Sequence, residues 1–245
     1  MNTDATKHQR RPAAASSLLT ALVLTISGTS ALAQHGHLNA GAVGTTIGDK
    51  LLWANGALFA EGSGYVQEMP LATDGIYAGY YNSGPTFTAL PATVANGGPA
   101  AFAANLGSVL AVQMTLMSAP AGGMFAFWEG GSLAPTLSIG VGATSDLWEL
   151  SDTVSGAGTA GADPYGHLHG RRFTATVPGE YVVGYQLFDT SDLAPGATPF
   201  HTPSDILYIK YSALVVPEPG TMALVGAGLV GLFVRSRWTR RDTGV

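Results

Sequence analysis

Turn signals break most of this chain roughly every 8–12 residues, a spacing that leaves room for short strands and little else. Glycine and proline supply most of them, 33 and 14 of the 245 residues. Between the turns lie short apolar runs at 50–53 and 56–59 (around Asn55-Gly56), 76–81, 86–90, 107–117, 124–129, 136–140, 145–152 and 205–212. Aromatic and β-branched residues crowd these runs, as strands prefer. No helical apolar period stands out over 38–90. Residues 91–107 read as a loop with one helical turn, and 153–162 as a Gly/Ala/Ser/Thr loop. The pattern predicts an all-β fold, a β-sandwich of short antiparallel strands, in one domain over 34–213. Runs 107–117 and 124–129 are expected to pair as a hairpin. Trp53, Trp128 and Trp148 read as core residues rather than as exposed ligand platforms.

The richest stretch is 163–188, which reads as a strand, a tight turn and a second strand. The turn is Val177-Pro178-Gly179-Glu180: proline presets φ at its second position and glycine supplies a positive φ at its third. The first strand carries His167 and His169. Residues two apart on a strand point to the same face, so two imidazoles project side by side. Of the adjacent Arg171 and Arg172, one is expected in solvent and one against an acidic neighbour.

The same His-x-His spacing recurs at His35 and His37, and His201 follows in a proline-punctuated loop. Neutral imidazole suits zinc, copper, nickel and iron. The chain has no cysteine, so a metal site here must be built from His, Asp and Glu. Four-coordinate zinc asks for two ligands beyond His167 and His169; His37 and His201 are the best candidates, and His35 comes fifth. Asp163, Asp189, Asp192 and Asp205 lie near the histidines in sequence. Three ligands with an open position would instead allow a metal-dependent hydrolase, with Glu180 or Asp189 as base by elimination. A third reading is a matrix or adhesion protein whose histidines are structural. No nucleophile elbow, zincin helix motif or phosphate loop is present.

The two ends speak to destination. Lys7, Arg10 and Arg11, an apolar run over 18–26 and Ala31-Leu32-Ala33 form a secretory signal over 1–33. Cleavage there removes His8 and makes Gln34 the first residue. Between 34 and 216 the only basic residues are Lys50, Arg171, Arg172 and Lys210. Acidic residues outnumber them, which excludes a nucleic-acid footprint and suits cations. At the other end, 214–241 holds Pro217-Glu218-Pro219, an apolar stretch from 222 to 234, and an arginine cluster from Arg235 to Arg241. This tripartite segment resembles the PEP-CTERM sorting signal of Gram-negative bacteria. The resemblance implies export by the general secretion machinery, transient insertion of a transmembrane helix in the inner membrane, processing by an exosortase, and delivery to the outer surface or extracellular matrix.

The body resembles a narrower group. Residues 35–41, 119–129 and 164–181 stand in the order found in PEP-CTERM surface proteins repressed by the zinc-uptake regulator. Phe173, Thr174, Pro178, Gly179 and Tyr181 also fit the histidine-bearing domain of actinobacterial surface-anchored proteins. These resemblances imply a protein made under zinc starvation, with zinc as the metal. The resulting expectation is a zinc-binding surface protein for zinc acquisition or buffering, a binding protein more than an enzyme. The sequence names no acceptor for the zinc.

Overall fold

The computed structural model describes residues 36–151, 163–167, 171–191, 198–214 and 226–229, and of His167 the backbone alone. Thirteen strands are found among them: β1 (His37–Ala42), β2 (Leu51–Trp53), β3 (Val66–Glu68), β4 (Tyr81–Ser83), β5 (Thr86–Ala89), β6 (Leu110–Ser118), β7 (Phe125–Trp128), β8 (Leu137–Ile139), β9 (Trp148–Glu149), β10 (Gly166–His167), β11 (Arg172–Ala175), β12 (Gly179–Asp189) and β13 (Leu207–Ala213). They form three sheets with strand orders β10-β5-β1-β2, β4-β11-β7-β8 and β3-β13-β12-β6-β9. The fold is all-β, as expected.

Alternation decides which residues meet in the core. On β12, Tyr181, Val183, Tyr185 and Leu187 are all fully buried, one residue in two, as the pleat demands. They face rings supplied by the other two sheets. Phe87 of β5 lies 5.2 Å from the ring of Tyr185, and Phe125 of β7 lies 4.9 Å from that of Tyr211 on β13. Phe127 stacks on Trp148 at 4.5 Å. The five-stranded sheet thus packs on the other two across an aromatic core. Trp53, Trp128 and Trp148 are all buried, as read from the sequence. The Trp53 indole N–H donates to the Tyr185 carbonyl, and that of Trp128 to the Thr174 hydroxyl.

Pairing departs from the sequence reading in several places. The strands either side of the 176–178 bend, β11 and β12, lie in different sheets. β12 has β13 and β6 on its two edges, and β11 has β4 and β7 on its own. With both edges taken on each, the bend carries the chain across the core instead of closing a hairpin. Tyr181 pins that corner: its hydroxyl donates to the Val177 carbonyl at 2.8 Å and accepts from the Val177 N–H at 3.2 Å. Strands β6 and β7 are likewise in separate sheets, so the turn between them is a second corner. The run at 56–59 forms a 3-10 turn (Gly56–Leu58) rather than a strand, and Gly75–Tyr77 does the same at the start of the 76–81 run. Pairing is not wholly antiparallel either: β1 with β5, and β13 with β3, run parallel.

Residues 226–229, inside the expected apolar stretch, are helical. Among the described residues no helix is long and apolar enough to cross a membrane. The expected export signal (1–33) lies outside the described residues, as do Pro217, Glu218 and Pro219.

The second corner and the first touch at Gly179. Its φ is 135°, a region few side chains tolerate, and a Cβ there would collide with the ring of Pro120. Gly179→Ala is therefore expected to destabilise the body by about 2–4 kcal/mol, from backbone strain plus overpacking. Urea unfolding of the purified body checks this; an unchanged midpoint would show that the corner yields instead.

Candidate functional site

His37 opens β1, half-buried, where β1 runs beside β5. Its Nδ1 lies 3.2 Å from the Thr88 hydroxyl of β5. On the other edge of β5 runs β10, and there His167 is the register partner of the same Thr88. Thr88 thus stands between the two histidine-bearing strands. Alternation puts its side chain on the opposite face of the sheet from Phe87 and Ala89, which point into the core, and there Thr88 is itself buried.

The end of β1 that carries His37 is held by a side chain. β2 pairs with β1 only over Ala40, Gly41 and Ala42. Beyond that ladder the Asn55 amide takes over: its Nδ2 donates to the His37 carbonyl at 2.6 Å, and its Oδ1 accepts from the Asn39 N–H at 2.8 Å. One primary amide thereby reproduces both bonds of a strand neighbour. Asn55-Gly56 reads in sequence only as a turn signal, so this role is invisible there. Asn55→Ala should speed hydrogen exchange of the Asn39 amide and cost about 1 kcal/mol; unchanged exchange would show that β1 holds itself.

His201 has a different use. It is buried, its Nδ1 donates to the Asp49 carbonyl at 3.0 Å, and its Nε2 accepts from the Asn105 N–H at 2.9 Å. This arrangement fixes the neutral tautomer and commits the one lone pair of the ring to a backbone amide. His201 ties the loop before β13 to the loops after β1 and before β6. As bonded here it offers nothing to a metal. His35 and His169 lie outside the described residues. Among the described residues no three His, Asp or Glu side chains converge as a metal cluster.

The carboxylates near the histidines in sequence are structural in the same way. Asp163 is buried and accepts five hydrogen bonds: from the Ala92 N–H and Tyr165 N–H at one oxygen, and from the Thr93 N–H, the Thr93 hydroxyl and the Asn96 side chain at the other. It latches the start of β10 to the loop after β5. Asp189 accepts from the backbone N–H groups of Ser191 and His201. Glu180 pairs with Lys210 at 2.8 Å, and Asp205 with Lys50 at 2.6 Å. Asp192 lies outside the described residues.

Arg171 and Arg172 divide as expected. Arg172 is exposed, while the Arg171 guanidinium donates to Glu129 at 2.6 Å and lies over the rings of Phe127 and Trp148. A cavity of about 330 Å³ opens between loops 43–45 and 99–106, lined by residues such as Val43, Pro99, Phe102 and Leu106; among the described residues no ionisable side chain lines it.

The last thirty residues decide the broad identity. Residues 215–241 match the family model described as the PEP-CTERM protein-sorting motif. The chain carries a PEP-CTERM sorting signal. It is therefore a target of exosortase recognition in the secretion pathway, exported and sorted to the cell surface or extracellular space of a Gram-negative bacterium. The match contains Pro217, Glu218 and Pro219. No curated protein and no solved structure matches the chain.

The Asp163 latch makes a pH prediction. Burial by itself would raise this carboxyl; the Thr93 hydroxyl, the Ala92 N–H, the Asn96 side chain and the Tyr165 N–H together outweigh burial and hold it below its ordinary value. A carboxyl held low only in the folded state stabilises the fold above its unfolded value of about 4, and that stability is lost as pH falls through the folded value. Asp163→Asn should cost about 1–3 kcal/mol near neutral pH. It should also flatten the acid limb of a stability–pH curve; an acid limb identical to the parent's would place the titrating group elsewhere.

Proposed function

We propose that this exported surface protein binds zinc through His37, His167 and His169, with His35 behind them, and serves zinc acquisition or buffering when zinc is scarce. The observation that carries the reading is the shared Thr88: His37 touches it from β1, and His167 is its register partner in β10. His37 is the register partner of Thr86, two residues before Thr88, so across two strand spacings and two residues its backbone is on the order of 12 Å from that of His167, a gap that two imidazoles reaching toward each other can close onto one ion. His169 follows His167 by two in sequence, the spacing that would share a face on a strand. The acidic body favours a cation, and the resemblance of 35–41 and 164–181 to zinc-regulated surface proteins supports zinc as that cation. The hydrogen bonds of His201 remove it from the set.

The rival reading, a matrix protein whose histidines hold the fold, draws its support from His201, whose ring is spent on two backbone partners.

Calorimetric zinc titration of a chain spanning 34–216 separates the two. A stoichiometric event is expected, lost in the His167→Ala/His169→Ala double variant and weakened in His37→Ala. No heat at neutral pH from the parent chain would exclude the zinc reading and leave the structural one.

A further inference from the structure

The end of β13 places the folded body against whatever grips the sorting motif. β13 stops at Ala213, and only Leu214, Val215 and Val216 separate it from Pro217-Glu218-Pro219. An extended residue spans at most about 3.6 Å, so the motif begins within roughly 15 Å of the strand end. A protein that holds those residues must share space with the part of the body around Ala213.

That part is well defined. Ala213 pairs with Gly179, beside the 176–178 corner, and Gly179 packs under Pro120 of the second corner. In the facing sheet Ala175 pairs with Tyr81 and Phe125, and Phe125 with Ile139, so 140–142 reaches the same end. The Gly142 N–H donates to the Leu116 carbonyl, and Leu71 bridges to Tyr81. Residues 69–71, 117–124, 140–142, 176–178 and 213–214 therefore surround the exit of the chain. None of these is charged, and the exposed Glu68 and Glu180 lie one register step away, opposite Ser212. Leu71, Met117, Met124, Val141 and Leu214 among them are exposed, between 37% and 59%. Exposed apolar side chains gathered on one end, rimmed by charge, mark a contact surface, and methionine adapts to an irregular partner.

We propose that this end of the body, with Met117 and Met124 on it, docks on the membrane-embedded exosortase while the sorting motif is engaged. The short spacer brings the two bodies close, and the exposed apolar side chains on this end favour their contact. The enzyme would then read a folded surface beside its peptide motif. This is independent of any zinc at His37.

The test uses the full chain expressed with its exosortase. Met117→Glu/Met124→Glu should slow appearance at the cell surface roughly fivefold, the effect of losing one anchor. Leu133→Glu, in the loop at the opposite end of β7, should leave the rate unchanged. A flexible spacer of about ten residues after Leu214 should abolish the difference between the parent and the methionine variant. A photoreactive residue at Ala121 should crosslink to the exosortase, and one at Leu133 should not. If the glutamates unfold the body, the crosslinks decide alone. Parent-like rates in a folded glutamate variant, or crosslinks from Ala121 to lipid only, would overturn the proposal.

Discussion

One ring joins the three sheets. Phe87 of β5 lies 5.2 Å from Tyr185, 5.3 Å from Trp148 and 5.5 Å from Phe173, residues on three strands of the other two sheets. Each such contact adds about 0.5–1.5 kcal/mol beyond area burial. The ring also settles polarity along its own strand: with Phe87 turned to the aromatic core, Thr88 must take the opposite face of the sheet. The meeting of His37 and Thr88 is thus a by-product of core packing. Which side of the sheet Thr88 occupies, buried there as well, is dictated by what its neighbour does in the core.

The strands themselves were largely legible. Runs at 86–90, 107–117, 124–129 and 205–212 became β5, β6, β7 and β13, because turn chemistry and aromatic content act locally. Partnership was not legible. The Pro178-Gly179 turn looks the same in sequence whether the chain doubles back or crosses the core. What decides is that β12 already has neighbours on both edges, which only the whole chain knows. The 56–59 run shows the same limit at smaller scale: its apolar residues suit a strand, yet the free edge of β1 is filled by the Asn55 amide.

The site was legible as residue types and illegible as roles. His-x-His spacing singled out His37 and His167; they lie on the two strands beside β5, His37 opposite Thr86 and bonded to the Thr88 hydroxyl, His167 opposite Thr88. His201 entered as a lone loop histidine, and its ring is held by two backbone groups. A histidine that binds metal and one that binds two backbone groups look alike in one dimension. Their difference lies in Asp49 and Asn105, both far away in sequence. The arginine pair was easier, because a buried guanidinium needs a carboxylate and the core offers few.

The Asp163 latch also bears on how such a protein is made. Exported domains often cross-link distant segments through cysteine, which requires an oxidant after translocation. This chain has no cysteine. It joins the start of β10 to the loop after β5 with one carboxylate and five donors instead. Such a closure forms as fast as the chain folds and needs no oxidase or isomerase. It is indifferent to reductants at the cell surface, and its weakness is acid. Durability outside the cell is therefore tied to proton activity, where a disulfide would have tied it to electrons.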